Sequence, residues 1–463
     1  MAAIYLMHEW WHGCFSGIDN KLVQDSMRAA LHAAGCTRFL ADSPVFNGCN
    51  CRNGFAVDFI PHTDNNACSQ TMRNRISILV VIAVFSSFLL FVVQYLYRHV
   101  LKLPSPSVLV DLEFDLTPKS QSFRLFASRP LARSTHPVPF GKAAAPFDDT
   151  IFWKGGKSTI DNFLNETQTR AFLVIQNGNI AYEKYSSGYD RDSKFASYSV
   201  AKSFVATLVG AAISDGKIRS LQDPIGNYLA AGDVWEPYRR VTIGELLSMR
   251  SGIDVDERYD SALAPVVQMY LTTDLNHFLS GVSEFRYPAG QHFEYRSVDT
   301  LVLASVLKRA TGMALTEYAE QKLWHPLGTA NDATWSVDSA EHDVEKAFCC
   351  LNATARDFAK LGMLYLAQGT VNGNRIVSKA WTLVPSASAN QSIAMAYSDG
   401  WWIPPDNARD GDFSAIGIYG QYVYVNPLTQ TIIVKLSEYG AEQDELATLS
   451  AMRQIAHSVS GVR

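Results

Sequence analysis

The sequence predicts an α/β fold for most of the chain, a sheet contributed by the two ends of one domain with a helical insertion over one side, preceded by one transmembrane helix. Three observations carry this. The run ISILVVIAVFSSFLLFVVQYLY, Ile76 to Tyr97, is 22 residues without a charge. β-rich runs flank Asn177-Gly178 and return near the C-terminus in QYVYVNPLTQTIIVKLSEY. Between them, from VTIGELLSMRSG to about Trp381, the texture is mainly helical with Gly and Pro breaks. Strands at both ends with helices between suggest two packed parts, and the cleft between such parts is where chemistry is expected.

Composition narrows the class. Of 463 residues, 47% are hydrophobic and 18% charged, which is the balance of a chain that buries a core. A net charge of -5 leaves no basic stripe for phosphates, so nucleic acid is not an expected partner. Cys14, Cys36, Cys49, Cys51 and Cys68 precede the apolar run, and only the adjacent Cys349 and Cys350 follow it. Neighbouring cysteines rarely bridge each other, so no disulfide framework is expected downstream.

Taken in order, residues 1–71 show no sustained periodicity. They contain HEWWH, His8 to His12, which matches the pattern of two helical zinc ligands around a general-base glutamate. Gly13 cuts it off and no helix-length sequence supports it, so no metal is expected there. Residues 72–102 read as the anchor: Met72 is followed by RNR and then the apolar run, the layout of an uncleaved signal anchor, with Tyr95 and Tyr97 at one interface. Arg73 and Arg75 on one flank balance Arg98 and Lys102 on the other. A start at Met72 would add an amine to the inner side and place the following domain outside the cytoplasm, in the periplasm. Membrane lipid is then a partner. Residues 103–147, with LPSPS and RPLARSTHPVPFGK, read as a linker, and 148–463 as the working domain, its helical subdomain at about 240–390.

Within that domain Asn177-Gly178 predicts a type I′ hairpin, and the chain closes on the helical run ELATLSAMRQIAHSV. After the hairpin comes YSVAKS, Tyr198 to Ser203, ahead of FVATLVGAAI. On a helix Ser199 and Lys202, three apart, share a face and come within hydrogen-bond reach. A lysine among apolar turns shifts toward the neutral amine and can accept the serine proton. A second pair, Ser305 and Lys308, lies inside TLVLASVLKRATG, where a small serine packs in a helix and the cations favour its C-terminus, and is read as structural.

Two further stretches add specificity. PAGQHFEYRSVDTLVLASVLKRATG sets Tyr295 two residues before Ser297, and GIYGQYVYVNPLTQTIIV sets glycines just ahead of a strand. Together with SVAK, SGI, HPLG and NATARDFAKLG, in this order, the region from about 148 to 463 resembles the serine β-lactamase-like family. That family comprises class C β-lactamases, penicillin-binding DD-peptidases and esterase relatives, and the resemblance is greatest to 6-aminohexanoate-dimer hydrolases. It implies a β-lactamase/DD-peptidase-like fold, an antiparallel sheet flanked by helices plus a helical subdomain, working through an acyl-enzyme. Residue by residue it implies Ser199 as nucleophile, Lys202 as its proton partner and Tyr295 as the proton shuttle. Ser297 stands where the motif often has Asn; it would bind substrate or cap its helix. Gln421 matches the strand position whose N–H completes an oxyanion hole with that of Ser199, and Gly420 would let a carbonyl approach closely. Ile418 replaces the cation that holds a β-lactam carboxylate, which disfavours penicillin as the main substrate. Tyr259 is a candidate substrate contact, and Trp401 and Trp402 would line a cleft or pack in the core.

The expectation is therefore a membrane-anchored serine hydrolase acting on a small-molecule amide or ester, with no cofactor. Alternatives are a DD-peptidase or β-lactamase activity, or a catalytically silent binding module of the same fold.

Overall fold

The computed structural model describes residues 81–461 apart from 144–146, 232, 234–235, 262, 384–394 and 441–443. The HEWWH motif, the first five cysteines and Met72 lie outside the described residues.

Val81–Val100 forms one helix of 20 residues with a mean hydropathy of 1.7 and no buried position. At 1.5 Å per residue it is about 30 Å long, the thickness of a bilayer core.

The larger sheet has eight strands: β1 (Gly141–Lys142), β2 (Thr169–Gln176), β3 (Asn179–Tyr185), β4 (Ala396–Ser398), β5 (Trp401–Ile403), β6 (Phe413–Gly417), β7 (Gln421–Asn426) and β8 (Thr431–Ser437). Their order is β4-β5-β6-β7-β8-β2-β3-β1, so the strands before and after the helical region meet at the β8/β2 seam, where Ile432 opposes Ile175. All neighbours are antiparallel except β1, which runs parallel to β3. Asn177 and Gly178 both take positive φ, 52° and 76°, as the β2–β3 hairpin of type I′ requires. β7 and β8 are buried throughout because helices cover both faces. Side chains of alternate residues enter different cores. Phe172, Tyr424 and Ile433 join Phe163 of the first helix of the domain, α1 (Ile160–Glu166), and Met452 of the C-terminal helix, α5 (Glu445–Ser460). Leu173, Val423 and Ile432 join Phe204 of α2 (Ala201–Ser214), Leu301 of α3 (Ser297–Thr311) and Phe358 of α4 (Ala355–Leu366).

A second sheet orders the strands Ser128–Leu131, Ala333–Ser336, Leu351–Ala353 and Phe195–Ala196. It corrects two sequence expectations. The stretch read as a linker is packed: Leu131 is fully buried, Ser120 donates to Glu438 Oε1 at 2.6 Å, and Gln121 Nε2 donates to the Lys194 carbonyl at 2.8 Å. Pro106 opens a short helix and Pro118 precedes a 3-10 turn, while Pro130 lies within the strand Ser128–Leu131. The span read as a helical subdomain also sends two strands back into this sheet, so it is not wholly helical. Because Leu131 is enclosed, Leu131→Ala should destabilise the domain by about 2–5 kcal/mol, read as a lower denaturant midpoint at unchanged slope. A change below about 0.5 kcal/mol would show that this segment is dispensable.

Candidate active site

Phe195–Ala196 delivers the chain to a tight turn. Ser197 N donates to the Leu351 carbonyl at 3.0 Å, Tyr198 adopts φ 44°, and a 3-10 turn over Tyr198–Val200 leads into α2. A left-handed tyrosine costs about 1–2 kcal/mol and needs outside support. Its hydroxyl donates to the Lys119 carbonyl at 2.9 Å and pairs with Ser122 Oγ at 3.0 Å, while its ring meets Tyr419 edge-on at 5.0 Å. The packed lead-in therefore helps to hold the residue that precedes Ser199.

α2 is apolar on every side, and Ala201 to Ala212 are all buried, so Lys202 begins its helix in dry surroundings. It is 2% exposed. Its Nζ lies 2.9 Å from Ser199 Oγ and donates to the Phe348 carbonyl at 2.8 Å. Burial pulls its pKa down to about 8, against a smaller opposing pull from Glu257. Tyr295 brings its ring to 5.0 Å from the same Nζ. Burial pushes its phenol well above the ordinary tyrosine range, so it keeps its proton and can only pass one on. Trp402, at 5.1 Å, and Tyr397, at 5.6 Å, fix the ring from behind. The tryptophan pair thus divides: Trp402 supports Tyr295, and Trp401 is fully buried against Tyr365 and Phe413.

Glu257 is the residue that sequence reasoning missed. Ser297, the first residue of α3, donates its backbone N to Glu257 Oε2 at 2.8 Å and its hydroxyl to Oε1, and Tyr259 donates to the same Oε1 at 2.7 Å. The Ser297 hydroxyl is thus engaged by a carboxylate. In DVDERYD four acids stand within seven residues, and only the tertiary fold selects one. Two residues on from Ser297, burial raises Asp299 to about 8, and it accepts from Ser251 Oγ at 2.5 Å. The pair Ser305 and Lys308 sits elsewhere: Ser305 Oγ donates to the Leu301 carbonyl at 3.3 Å, and Lys308 occupies the last turn before a left-handed Gly312.

The strand beside Ser199 carries a register correction. A Cβ placed on Gly417 would lie 2.6 Å from the Ser197 carbonyl and 3.1 Å from Ser199 N, so Gly417 is the close-approach glycine. Gly420 abuts Lys435 and Ser437 instead. Gly417 pairs with Gln421 across the hairpin, which leaves Ile418, Tyr419 and Gly420 as its loop. Gln421 is fully buried, its amide donating to the carbonyls of Tyr419 at 3.0 Å and Ser437 at 2.8 Å. Ile418 and Tyr419 are the loop residues that line the cleft, and two places before Gly417 stands buried Ala415, again no cation.

The cleft holds about 590 Å³ and is lined by Ser199, Ser297, Tyr259, Phe348, Cys349 and Ile418 among others. Contrary to expectation, Cys349 and Cys350 are joined by a disulfide. Cys350 takes φ 74°, and this ring follows directly on Phe348, whose carbonyl receives Lys202. Among the described residues Asp274, Asp338 and His342 could converge on a cation, but Lys102 already pairs with Asp274 at 3.3 Å.

The two-layer sheet and helical cover, with a serine and a buried lysine at the head of the central helix, are those of the β-lactamase and DD-peptidase class of folds. A family model described as Beta-lactamase matches residues 157–457, and the chain belongs to that family. It is 31% identical over 302 residues to the 6-aminohexanoate-dimer hydrolase of Paenarthrobacter ureafaciens, covering 60% of this chain and 75% of that one. Its fold is similar to a Bacillus anthracis protein provisionally named a 6-aminohexanoate-dimer hydrolase, with a TM-score of 0.65 at 24% identity over 73% of this chain and 92% of the other. It is also similar to a penicillin-binding protein from Bacillus halodurans, with a TM-score of 0.51 at 16% identity over 64% and 98%.

If the neutral amine of Lys202 is the working form, kcat/KM should rise tenfold per pH unit below about 8 and level off above it. Lys202→Arg keeps the charge but cannot release a proton, and should leave under about a hundredth of the rate. A flat profile between pH 6 and 9, or an active arginine variant, would remove Lys202 from the proton path.

Proposed function

We propose that the chain is a membrane-anchored serine hydrolase that cleaves amide or ester bonds through an acyl group on Ser199. The observation that carries this reading is the 2.9 Å contact between Ser199 Oγ and an amine whose pKa burial has brought to about 8. Neutral Lys202 takes the hydroxyl proton as Oγ attacks the substrate carbonyl carbon. The backbone N–H groups of Ser199 and of Ile418, next to the Gly417 contact, are the donors suited to the oxyanion. As the tetrahedral species collapses, the departing amine or alcohol receives its proton through Tyr295. Water then attacks the acyl carbon by the same route and frees Ser199. Glu257 orients Ser297 and Tyr259 on the opposite wall.

Similarity to a 6-aminohexanoate-dimer hydrolase favours linear amides and simple esters. Ala415 and Ile418 supply no cation for a β-lactam carboxylate, a contact worth about 1.5–3 kcal/mol. Ser199→Ala should abolish both ester hydrolysis and labelling by a fluorophosphonate, and Ser305→Ala should leave both within about twofold. Wild-type kcat/KM should be higher for a short p-nitrophenyl ester than for a chromogenic cephalosporin. Labelling that survives Ser199→Ala overturns the nucleophile, and a faster cephalosporin overturns the substrate class.

The helix Val81–Val100 is the anchor in this reading; the cations on its two flanks balance, and the amine of a start at Met72 would favour an extracytoplasmic catalytic domain. A C-terminal alkaline phosphatase fusion should be active, and a fluorescent reporter that folds only in the cytoplasm should be dark. The reverse pattern would contradict the orientation.

A further inference from the structure

The cleft above Ser199 is walled by two segments. One is the lead-in directly after the apolar helix, which contributes Leu103, Leu109 and Leu112. The other is the loop and helix after Tyr259, which contributes Val266, Val267 and Leu271. Among the described residues these walls also carry the acids Glu113 and Asp260 and one cation, Lys119, which is in ion-pair contact with Asp115. The apolar character continues outward. Among the described residues ten large hydrophobic side chains beyond Leu101 are exposed, and five of them, Val110, Phe114, Leu116, Tyr259 and Leu263, belong to these two segments. Leu263 is 79% exposed, Phe114 69% and Leu116 67%. A soluble domain rarely concentrates exposed apolar side chains on two short segments unless those segments meet something apolar.

What it meets is set by the chain itself. Leu103 lies three residues after Val100, where the apolar helix ends, so at most about 11 Å of backbone separates the cleft wall from that helix. We propose that this wall is an acyl-chain subsite, and that Ser199 acts on long-chain acyl esters or amides drawn from the bilayer. This rests on the hydrolase reading and on Val81–Val100 as a membrane helix. The acyl carbonyl carbon bonds to Ser199 Oγ while its bond to the alcohol or amine breaks, the leaving group departs with the serine proton, and water releases the fatty acid. The chain lies along Leu103, Leu109 and Leu112, and the exposed Phe114, Leu116 and Leu263 rest in the interface where apolar side chains enter the headgroup boundary.

The test uses the full chain. In mild detergent, kcat/KM for p-nitrophenyl esters should rise from acetate to octanoate by two- to fourfold per methylene, the upper figure corresponding to about 0.8 kcal/mol for full burial. Leu112→Asp should lower the octanoate-to-acetate ratio at least tenfold, and Leu109→Ala, a milder change, should lower it two- to fivefold. For the source of the chain, the protein is reconstituted in ether-linked phosphatidylcholine vesicles, and a 4-methylumbelliferyl palmitate ester is placed in the same or in separate vesicles. Faster turnover in the same vesicles supports bilayer delivery, and equal rates overturn it. A ratio that is flat or falls with chain length, while acetate hydrolysis still depends on Ser199, overturns the acyl subsite and leaves the hydrolase reading standing. No Ser199-dependent turnover of any ester defeats the hydrolase reading instead.

Discussion

The arrangement depends on keeping an amine dry beside a serine hydroxyl. A charged ammonium moved into an apolar core loses several kcal/mol of hydration, so a lysine enclosed like Lys202 moves toward its neutral form. Three other lysines share that condition: burial brings Lys346 and Lys435 to about 7 and Lys360 to about 8. Their partners differ. Lys346 and Lys360 donate to backbone carbonyls of Thr272 and Val138, and Lys435 reaches Ser437 Oγ at 2.5 Å, deep in the sheet. Only Lys202 of these four combines a lowered pKa with a serine that lines the cleft. A shifted lysine is therefore not diagnostic of chemistry here, and the accessibility of its partner is.

Keeping Lys202 dry accounts for features that are otherwise unrelated. α2 is apolar all round because its first turn must exclude water from the amine as well as join the sheet to the helices. The Phe348 carbonyl accepts one N–H of the amine and so fixes the direction of its lone pair and remaining hydrogen. The disulfide between Cys349 and Cys350 confines the backbone that presents that carbonyl. Tyr295 caps the other side with its ring, and Tyr397 and Trp402 keep it there. Tyr198 closes the set, its left-handed backbone turning Ser199 toward the cleft under restraint from Lys119 and Ser122.

Much of this was legible in the sequence, and the remainder failed for identifiable reasons. The β2–β3 hairpin, the β7–β8 pair, α5 and the pairing of Ser199 with Lys202 follow from local signals: positive-φ residues at a turn, period-two apolar runs, and three-residue spacing on a helix. The same holds for Ser305, whose mid-helix setting marked it as structural. For residues 103–147 the sequence misleads, because Pro and Ser report on chain direction and not on burial. Leu131 pairs with Ala333 and Ser120 with Glu438, some two to three hundred residues away. Glu257 was invisible for the same reason, since its importance lies in receiving Ser297 and Tyr259 together. The disulfide ran against the general behaviour of adjacent cysteines, and nothing in composition marks Cys349 and Cys350 as an exception.

The strand glycine shows how a correct motif can be read in the wrong register. GIYGQ holds two glycines three apart, either of which can precede the oxyanion position, and only the hairpin decides between them. Gly417 ends β6 and Gln421 begins β7, so the intervening Ile418, Tyr419 and Gly420 must turn the chain, and Tyr419 and Gly420 do so at φ 67° and 82°. Gly420 is therefore a turn glycine, required by its backbone conformation. Gly417 has an ordinary conformation but no room for a side chain, because the Ser197–Ser199 turn lies against it. The two glycines answer different constraints, one conformational and one steric. The steric one lies beside Ser199, which puts Ile418 at the cleft with that serine and leaves Gln421 to lock the hairpin from within.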